Sequence, residues 1–143
     1  MARKTKDITI TTGRDKDKVF RITEKSSYDA ELWAIRALGG MADAGVDIPD
    51  LETATAESLT KFAVSSLLKI RSDLMVELLD EMMECVELVP QPRKEPGVSR
   101  IIFESDIEDL STRVLLRSEI IKLHADFFMV AADQNTQTGA AEA

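Results

Sequence analysis

Residues 7–23 read DITITTGRDKDKVFRIT, and this stretch predicts the fold of the N-terminal part of the chain. Its two segments 7–11 and 18–23 alternate apolar and polar residues, are rich in β-branched side chains, and are separated by a connector that contains Gly13. That pattern is typical of two antiparallel strands joined by a turn. Because an isolated hairpin is only marginally stable in water, its apolar side chains have to pack on another part of the chain. The sequence therefore predicts a β-hairpin over 6–24 that packs on the segments after it.

The residues after the hairpin predict about four helices. Ser26 and Thr55 are of the type that caps helix N-termini, and Gly45 is of the type that ends a helix. Large apolar residues follow both caps at intervals of three and four, which is the spacing of an amphipathic helix. The expected stripes are Leu32, Ile35, Leu38 and either Met41 or Ala42 in the first helix, and Leu59, Phe62, Ala63, Leu67 and Ile70 in the second.

The second half of the chain continues the helical pattern. A third helix is expected to end before Pro90 with Val86 still on its apolar side, and residues 101–104 are compatible with a short strand. Ser105 and Glu108 have the spacing of a capping box, which predicts the start of a long last helix. The expected apolar face of that helix is Ile107, Leu110, Val114, Ile121 and Phe128.

These elements predict one domain of the α+β class that is mostly helical. We expect it to cover residues 1–132, with the hairpin over 6–24 packed on a helical part over 26–132. The remaining residues 133–143 lack periodicity and large apolar side chains, so a disordered tail is expected there.

Charge is distributed unevenly along the 143 residues, whose net charge is -8. Residues 1–25 carry eight Lys or Arg against four acids, whereas the rest carries ten basic and 22 acidic residues. The acidic body should repel nucleic acid and anionic membranes. A single cysteine cannot form an intramolecular disulfide, and no apolar run approaches the roughly 20 residues that span a bilayer. The sequence therefore predicts a protein of the reducing cytosol that binds no membrane.

The charged hairpin loop fits neither a phosphate-binding nor a calcium-binding template. A phosphate loop needs a second glycine five residues after the first, where Gly13 is followed by Lys18. A calcium loop that starts at Asp15 would need a glycine where Phe20 stands and a carboxylate where Ser26 stands. We therefore expect a turn here, with no metal and no cofactor.

Few side chains are available for catalysis, since His124 is the only histidine and Cys85 the only cysteine. One imidazole excludes every site built on two histidines. A Cys85–His124 nucleophile pair stays formally open, but the apolar neighbours of Cys85 favour a thiol that packs as a small hydrophobe. The sequence predicts a protein that is not an enzyme and has no catalytic residue.

Surfaces for a partner are the remaining candidates. Flexible methionines and large apolar groups are typical of promiscuous binding faces, although core packing is the ordinary role of such residues. The candidate partner-binding residues are Met75, Met82 and Met83 in the third helix, with Phe127, Phe128 and Met129 near the end of the last. The acids expected outward on the third helix, facing water or a basic partner, are Glu77, Asp80, Glu81, Glu84 and Glu87.

Four segments of the chain, in this order, resemble the tail assembly chaperones of long-tailed bacteriophages. They are GRDKDKVFRITEKSSYDAELWAIRAL, GVDIPD, LLDEMMECVELVP and IEDLSTRVLLRSEIIKLHADFF, and the likeness covers about residues 7–128. It rests on an ordered pattern of hydrophobic and acidic residues. Asp17 stands where glycine is expected in this family's hairpin, and Lys25 where an apolar residue often follows.

This resemblance implies a small, largely helical, non-catalytic protein in the cytoplasm of the infected bacterium that is absent from the mature virion. Such chaperones bind the tape-measure protein, keep it soluble and help bring the major tail tube protein to it. They are often also made in a longer form by translational frameshift. Self-association is a further expectation from a free apolar groove.

A second interpretation is a small DNA-binding regulator. Its basic N-terminal hairpin would contact phosphates through Arg14, Lys16, Lys18 and Arg21. The interleaved acids and the absence of a helix dense in Lys or Arg argue against it, so nucleic acid is not the expected partner.

Overall fold

The computed structural model describes residues 3–47, 50 and 52–125. One antiparallel sheet has its strands in the order β1 Thr5–Thr9, β2 Val19–Thr23, β3 Val86–Val89 and β4 Arg100–Ile101. The helices are α1 Ser27–Asp43, α2 Ala56–Leu67, α3 Ser72–Met83 and α4, which is described over 110–125, with a 3-10 turn at Glu104–Asp106 before it. The predicted α+β class, mostly α with an N-terminal hairpin, is confirmed. The predicted tail over 133–143 lies outside the described residues.

The two faces of the sheet differ because side chains alternate along each strand. Phe20 and Ile22 on β2 are fully buried on one face. The opposite face carries a row of charge, in which Arg21 pairs across the strands with Asp7 and Glu87. The Arg21 guanidinium donates to Asp7 at 2.8 and 3.0 Å. The cluster that the sheet shares with α4 therefore lies on the face of Phe20 and Ile22, while the charged face also carries the buried Val89.

The prediction that the third helix runs to Pro90 is wrong. Helix α3 ends at Met83, and the next residues turn into strand β3, which pairs with β2. Val86 is apolar and buried, and it would be on the inward side in a helix as well as in a strand. Its spacing from the earlier apolar residues therefore could not tell a longer helix from a new strand. The unpaired edge of β2 decides between them, because strand pairing satisfies its backbone N–H and C=O groups.

The first two helices begin where their caps predict, and the first also ends where Gly45 predicts. Ser26 accepts from the Asp29 N–H, and Thr55 and Ser58 form a reciprocal capping box. Gly45 has a φ of +79°, the left-handed conformation in which a helix commonly stops. Local chain chemistry therefore sets these boundaries.

Most of the apolar stripe predicted in the first helix does not face the core, and only Met41 of that stripe is buried. Ala37, Gly40 and Met41 are buried, whereas Leu32 and Ile35 are exposed. Small residues on the inward side let α1 approach its neighbours: a Cβ on Gly40 would lie 2.8 Å from Leu74 Cδ2 and 3.1 Å from Ile70 Cγ2. Leu32, Ile35 and Leu38 are therefore left on the outside, whereas Trp33 and Met41 pack inward.

The apolar row expected in the second helix faces inward, although Ile70 lies beyond the end of α2 at Leu67, and the face expected for the last helix is partly wrong. Leu67 and Ile70 are buried, as is Leu78. Two residues expected inward on α4, Leu110 and Val114, are exposed, and Leu116 and Ile120 are buried instead. Two apolar clusters result, one between the sheet and α4 and one among α1, α2 and α3. Trp33 and Ile121 pack against both and join them into one unit.

The hairpin loop caps the last helix. The Asp15 carboxylate is fully buried and accepts hydrogen bonds from the Glu108 N–H at 3.0 Å, the Asp109 N–H at 3.0 Å and the Thr112 hydroxyl at 2.7 Å. The Lys18 ammonium donates to the same carboxylate at 3.0 Å. A carboxylate is favourable at this position because it meets unpaired N–H groups and the positive end of the helix dipole.

The capping box predicted from Ser105 and Glu108 is therefore wrong. Residues 104–106 form the 3-10 turn, and α4 begins at Leu110. The backbone N–H of Glu108 bonds to Asp15, a residue more than 90 positions away in the chain. A local spacing rule cannot detect a cap that comes from another element.

No helix among the described residues combines the length and the apolarity needed to cross a lipid bilayer.

Stability should fall in acid because of the hairpin loop and its neighbours. Burial alone would raise the pKa of Asp15, but its hydrogen bonds hold that pKa well below the usual range. The hydrogen bond from Arg100, opposed by burial, lowers the pKa of Asp106 to about 2. A depressed folded pKa gives stability above the unfolded pKa of about 4 that is lost toward the folded value. We expect urea unfolding to show a falling free energy from pH 4 to pH 2; a flat profile there would contradict this.

The two adjacent glycines of α1 should respond differently to alanine. A Cβ on Gly39 would meet no atom within 4 Å, so Gly39→Ala should raise the free energy of unfolding by about 1 kcal/mol through lower backbone entropy. Gly40→Ala is the matched control, because its Cβ presses on Leu74 and Ile70 and offsets that gain. Thermal unfolding of both variants checks the prediction, and an equal gain at both positions would refute it.

Candidate partner-binding surface

Helix α1 presents a row of large apolar side chains to solvent. Tyr28, Leu32 and Ile35 share one helix face at i, i+4 and i+7, with exposed fractions of 69%, 41% and 58%. Leu38, at 40%, borders them. We call these four residues the α1 stripe. Single exposed apolar residues are ordinary on protein surfaces, but a row along one helix face is typical of an interaction site.

The direction of the α1 stripe is fixed by contacts on the other side of the helix. The indole N–H of Trp33 donates to the Leu78 carbonyl at 3.0 Å, which ties α1 to α3. Arg36 donates to Glu77 at 3.1 Å and to Glu81 in a paired arrangement. The hydrogen bond between Arg36 and Glu81 raises the pKa of Arg36 and lowers the pKa of Glu81. Burial opposes both of these shifts. Rotation of α1 would break these contacts.

The borders of the α1 stripe are acidic. Asp29, Glu31 and Asp43 are exposed, and none of them belongs to an ion pair formed within the described part of the chain. The basic residue of α1, Arg36, is held by Glu77 and Glu81. The outward side of α1 is therefore apolar in the middle and negative at its edges.

The methionines proposed from the sequence lie in the interior of the structure. Met82 and Met83 are buried in the cluster between the sheet and α4. Met75 is half-buried against the cluster among α1, α2 and α3. The structure thus separates Met75 from the other two and places all three against core residues. The other proposed residues, Phe127, Phe128 and Met129, lie outside the described residues.

The acids expected along the third helix do not form a single surface. Glu77, Asp80 and Glu84 are exposed, whereas Glu81 is held by Arg36. Glu87 belongs to β3 and accepts from the Ser99 hydroxyl at 3.0 Å. The row is interrupted because the helix ends before Glu84.

Three of the four basic hairpin residues are engaged in ion pairs. Arg14 binds Asp109 at 2.8 Å, Lys18 binds Asp15 at 3.0 Å, and Arg21 binds Asp7 at 2.8 Å. A phosphate would have to compete with these carboxylates for the same cations. The geometry of the hairpin therefore does not favour nucleic-acid binding.

Cys85 and His124 both serve the fold. Burial raises the pKa of the Cys85 thiol, which keeps it in the weakly nucleophilic protonated form. His124 Nε2 accepts from the Lys25 N–H at 3.0 Å, and its Nδ1 lies 2.8 Å from the Ile120 carbonyl, to which it donates. The imidazole thereby joins α4 to the segment before α1.

The sequence indicated Leu32, Ile35 and Leu38 of the α1 stripe as one apolar row, but neither their outward direction nor Tyr28. The spacing of Leu32, Ile35 and Leu38 was the correct signal for a helix. The small residues opposite them, Ala37 and Gly40, were the available signal that this side packs inward. The chain matches no family model, no curated protein and no solved structure.

Proposed function

We propose that this chain is a non-catalytic tail assembly chaperone of a long-tailed bacteriophage. It binds the tape-measure protein, keeps it soluble and helps recruit the major tail tube protein. It works in the cytoplasm of the infected bacterium and leaves before the virion is complete. The resemblance of the four sequence segments supports this proposal, and the α1 stripe is the structural observation that carries it.

The physical reasoning links the exposed stripe to the client. A tape-measure protein is a long helical chain, and its apolar stripes would aggregate if they were left uncovered. A helix face that carries four exposed apolar side chains can cover such a stripe by helix-to-helix packing. A chaperone of this kind requires an adaptable apolar surface and no chemistry.

The proposal is tested by co-expression with the tape-measure protein encoded in the same genome. We expect the soluble fraction of the tape-measure protein to rise and the two proteins to co-elute at moderate salt. A tape-measure protein that stays insoluble and unbound beside the folded chain would refute the proposal. A titration of the chain with DNA at several salt concentrations tests the alternative, since phosphate contacts weaken steeply with salt.

The phenylalanines proposed from the sequence have a test of their own. Replacement of Phe127 and Phe128 by Ser should weaken capture of the tape-measure protein, because large apolar anchors dominate such interfaces. The measurement is the amount of tape-measure protein that co-elutes, with circular dichroism as the control for folding. Unchanged capture by a folded variant would remove both residues from the binding surface.

A further inference from the structure

We propose that the α1 stripe holds the client, and that it takes an amphipathic helix whose apolar face is bordered by basic residues. This inference rests on the proposed function, because it names the surface and the chemistry of the client segment. It follows from the shape of the outward side of α1, from its charge, and from the way its one arginine is engaged.

The shape of α1 suits a helix as the occupant. Gly39 follows Ile35 by four residues on the same face, and a Cβ there would meet no atom within 4 Å. Ala42 continues this face and is exposed. A partner helix can therefore approach closely over these small residues while its side chains pack on Leu32 and Ile35. Helix α1 has 17 residues, which gives a contact about 25 Å long.

The charge of α1 determines which helix fits. Glu31 and Asp43 are exposed beside the α1 stripe, and Asp29 lies in the first turn of helix α1. Arg36 is already bound to Glu77 and Glu81. Carboxylates at the edge of an apolar contact select a partner with cations at the matching edge, because like charges there are repulsive.

A second copy of this chain is a poor occupant of the α1 stripe. Two α1 helices packed face to face would bring Asp29, Glu31 and Asp43 of each copy together, with no unpaired arginine on either α1 to offset them. The net charge of -8 adds repulsion between whole copies. The acidic borders therefore favour a different chain with the opposite charge.

Two double variants test the location of the client site. Leu32→Ser with Ile35→Ser removes the centre of the α1 stripe and is expected to reduce captured tape-measure protein about tenfold or more. The matched control is Leu110→Ser with Val114→Ser on α4, whose side chains are also exposed. The control should capture within about twofold of the wild type, since its residues lie outside the contact. All four positions are on the surface, so both proteins should remain folded.

Two single variants test the charge of the client. Glu31→Lys places a cation at the border of the stripe, and Asp80→Lys makes the same change of net charge on the exposed side of α3. Glu31→Lys is expected to weaken capture at low salt by about threefold to tenfold and less at high salt, where charges are screened. Asp80→Lys should leave capture near the wild-type level.

Loss of capture with the α1 changes and retention with both controls supports the inference. Full capture by the α1 double variant overturns the inference and leaves the proposed function standing, whereas no capture by the wild type overturns both. Equal loss with the α1 and α4 double variants overturns it as well, because no single stripe is then responsible. A wild-type dimer in sedimentation that becomes a monomer with the α1 changes would instead assign the stripe to a second copy.

Discussion

Asp15→Asn is expected to lower the free energy of unfolding by roughly 3 kcal/mol. The carboxylate of Asp15 is fully buried and receives hydrogen bonds from two backbone N–H groups, from the Thr112 hydroxyl and from the Lys18 ammonium. An amide has one acceptor oxygen and an NH₂ group that faces these donors. The variant would therefore leave buried donors without acceptors and the ammonium without its counter-charge.

The control for this change lies two residues further along the same loop. Asp17→Asn makes the same substitution at an exposed residue whose φ is +73°, a conformation that asparagine tolerates. It should change stability by less than about 0.5 kcal/mol. Urea unfolding at pH 7 measures both variants. Equal stabilities for the two would show that the Asp15 hydrogen bonds do not hold α4 in place.

Phe20→Ala is expected to lower the free energy of unfolding by about 4 kcal/mol. Phe20 is fully buried on β2, between β1 and β3, and it packs in the cluster that the sheet shares with α4. Alanine would remove the aromatic ring and leave a cavity, because strands paired on both sides of β2 restrict collapse around it. The protein should unfold at a markedly lower urea concentration, with the slope of the transition unchanged.

Phe103 supplies the matched comparison for that change. It is exposed, and its ring lies 4.9 Å from the Arg100 guanidinium, so Phe103→Ala should lose only a surface cation–π contact worth below about 1 kcal/mol. If Phe103→Ala lowered the free energy of unfolding as much as Phe20→Ala, burial of the Phe20 ring between the sheet and α4 would not explain its contribution to stability.

Local signals predicted the parts of the fold that local chemistry controls. The hairpin strands, the caps at Ser26 and Thr55 and the stop at Gly45 all depend on neighbouring residues, and each was placed from the sequence to within a few positions. The α+β class followed from them. Periodicity also found the apolar row of α2, since one face of that helix is richer in large side chains.

Features that depend on distant residues were missed for physical reasons. Residues 86–89 become a strand because β2 has a free edge, and that edge is more than 60 residues away. The cap of α4 comes from the hairpin loop, so no spacing near Ser105 could reveal it. Leu32, Ile35 and Leu38 follow the same spacing as the buried Met41, so spacing could not reveal the outward direction of the α1 stripe. Its outward direction makes it a candidate site that sequence spacing alone did not identify.

The dependence of α4 on Asp15 also constrains the order in which the chain can fold during synthesis. The hydrogen bonds of Asp15 to Glu108, Asp109 and Thr112 join residues 93 to 97 positions apart, and β2 gains its second neighbour only when β3 has been made. At about 5–20 residues per second, the hairpin waits for roughly 5–20 s after it leaves the ribosome. Phe20 and Ile22 remain uncovered in that interval, so this part of the fold is completed only after residues 86–112 have been made.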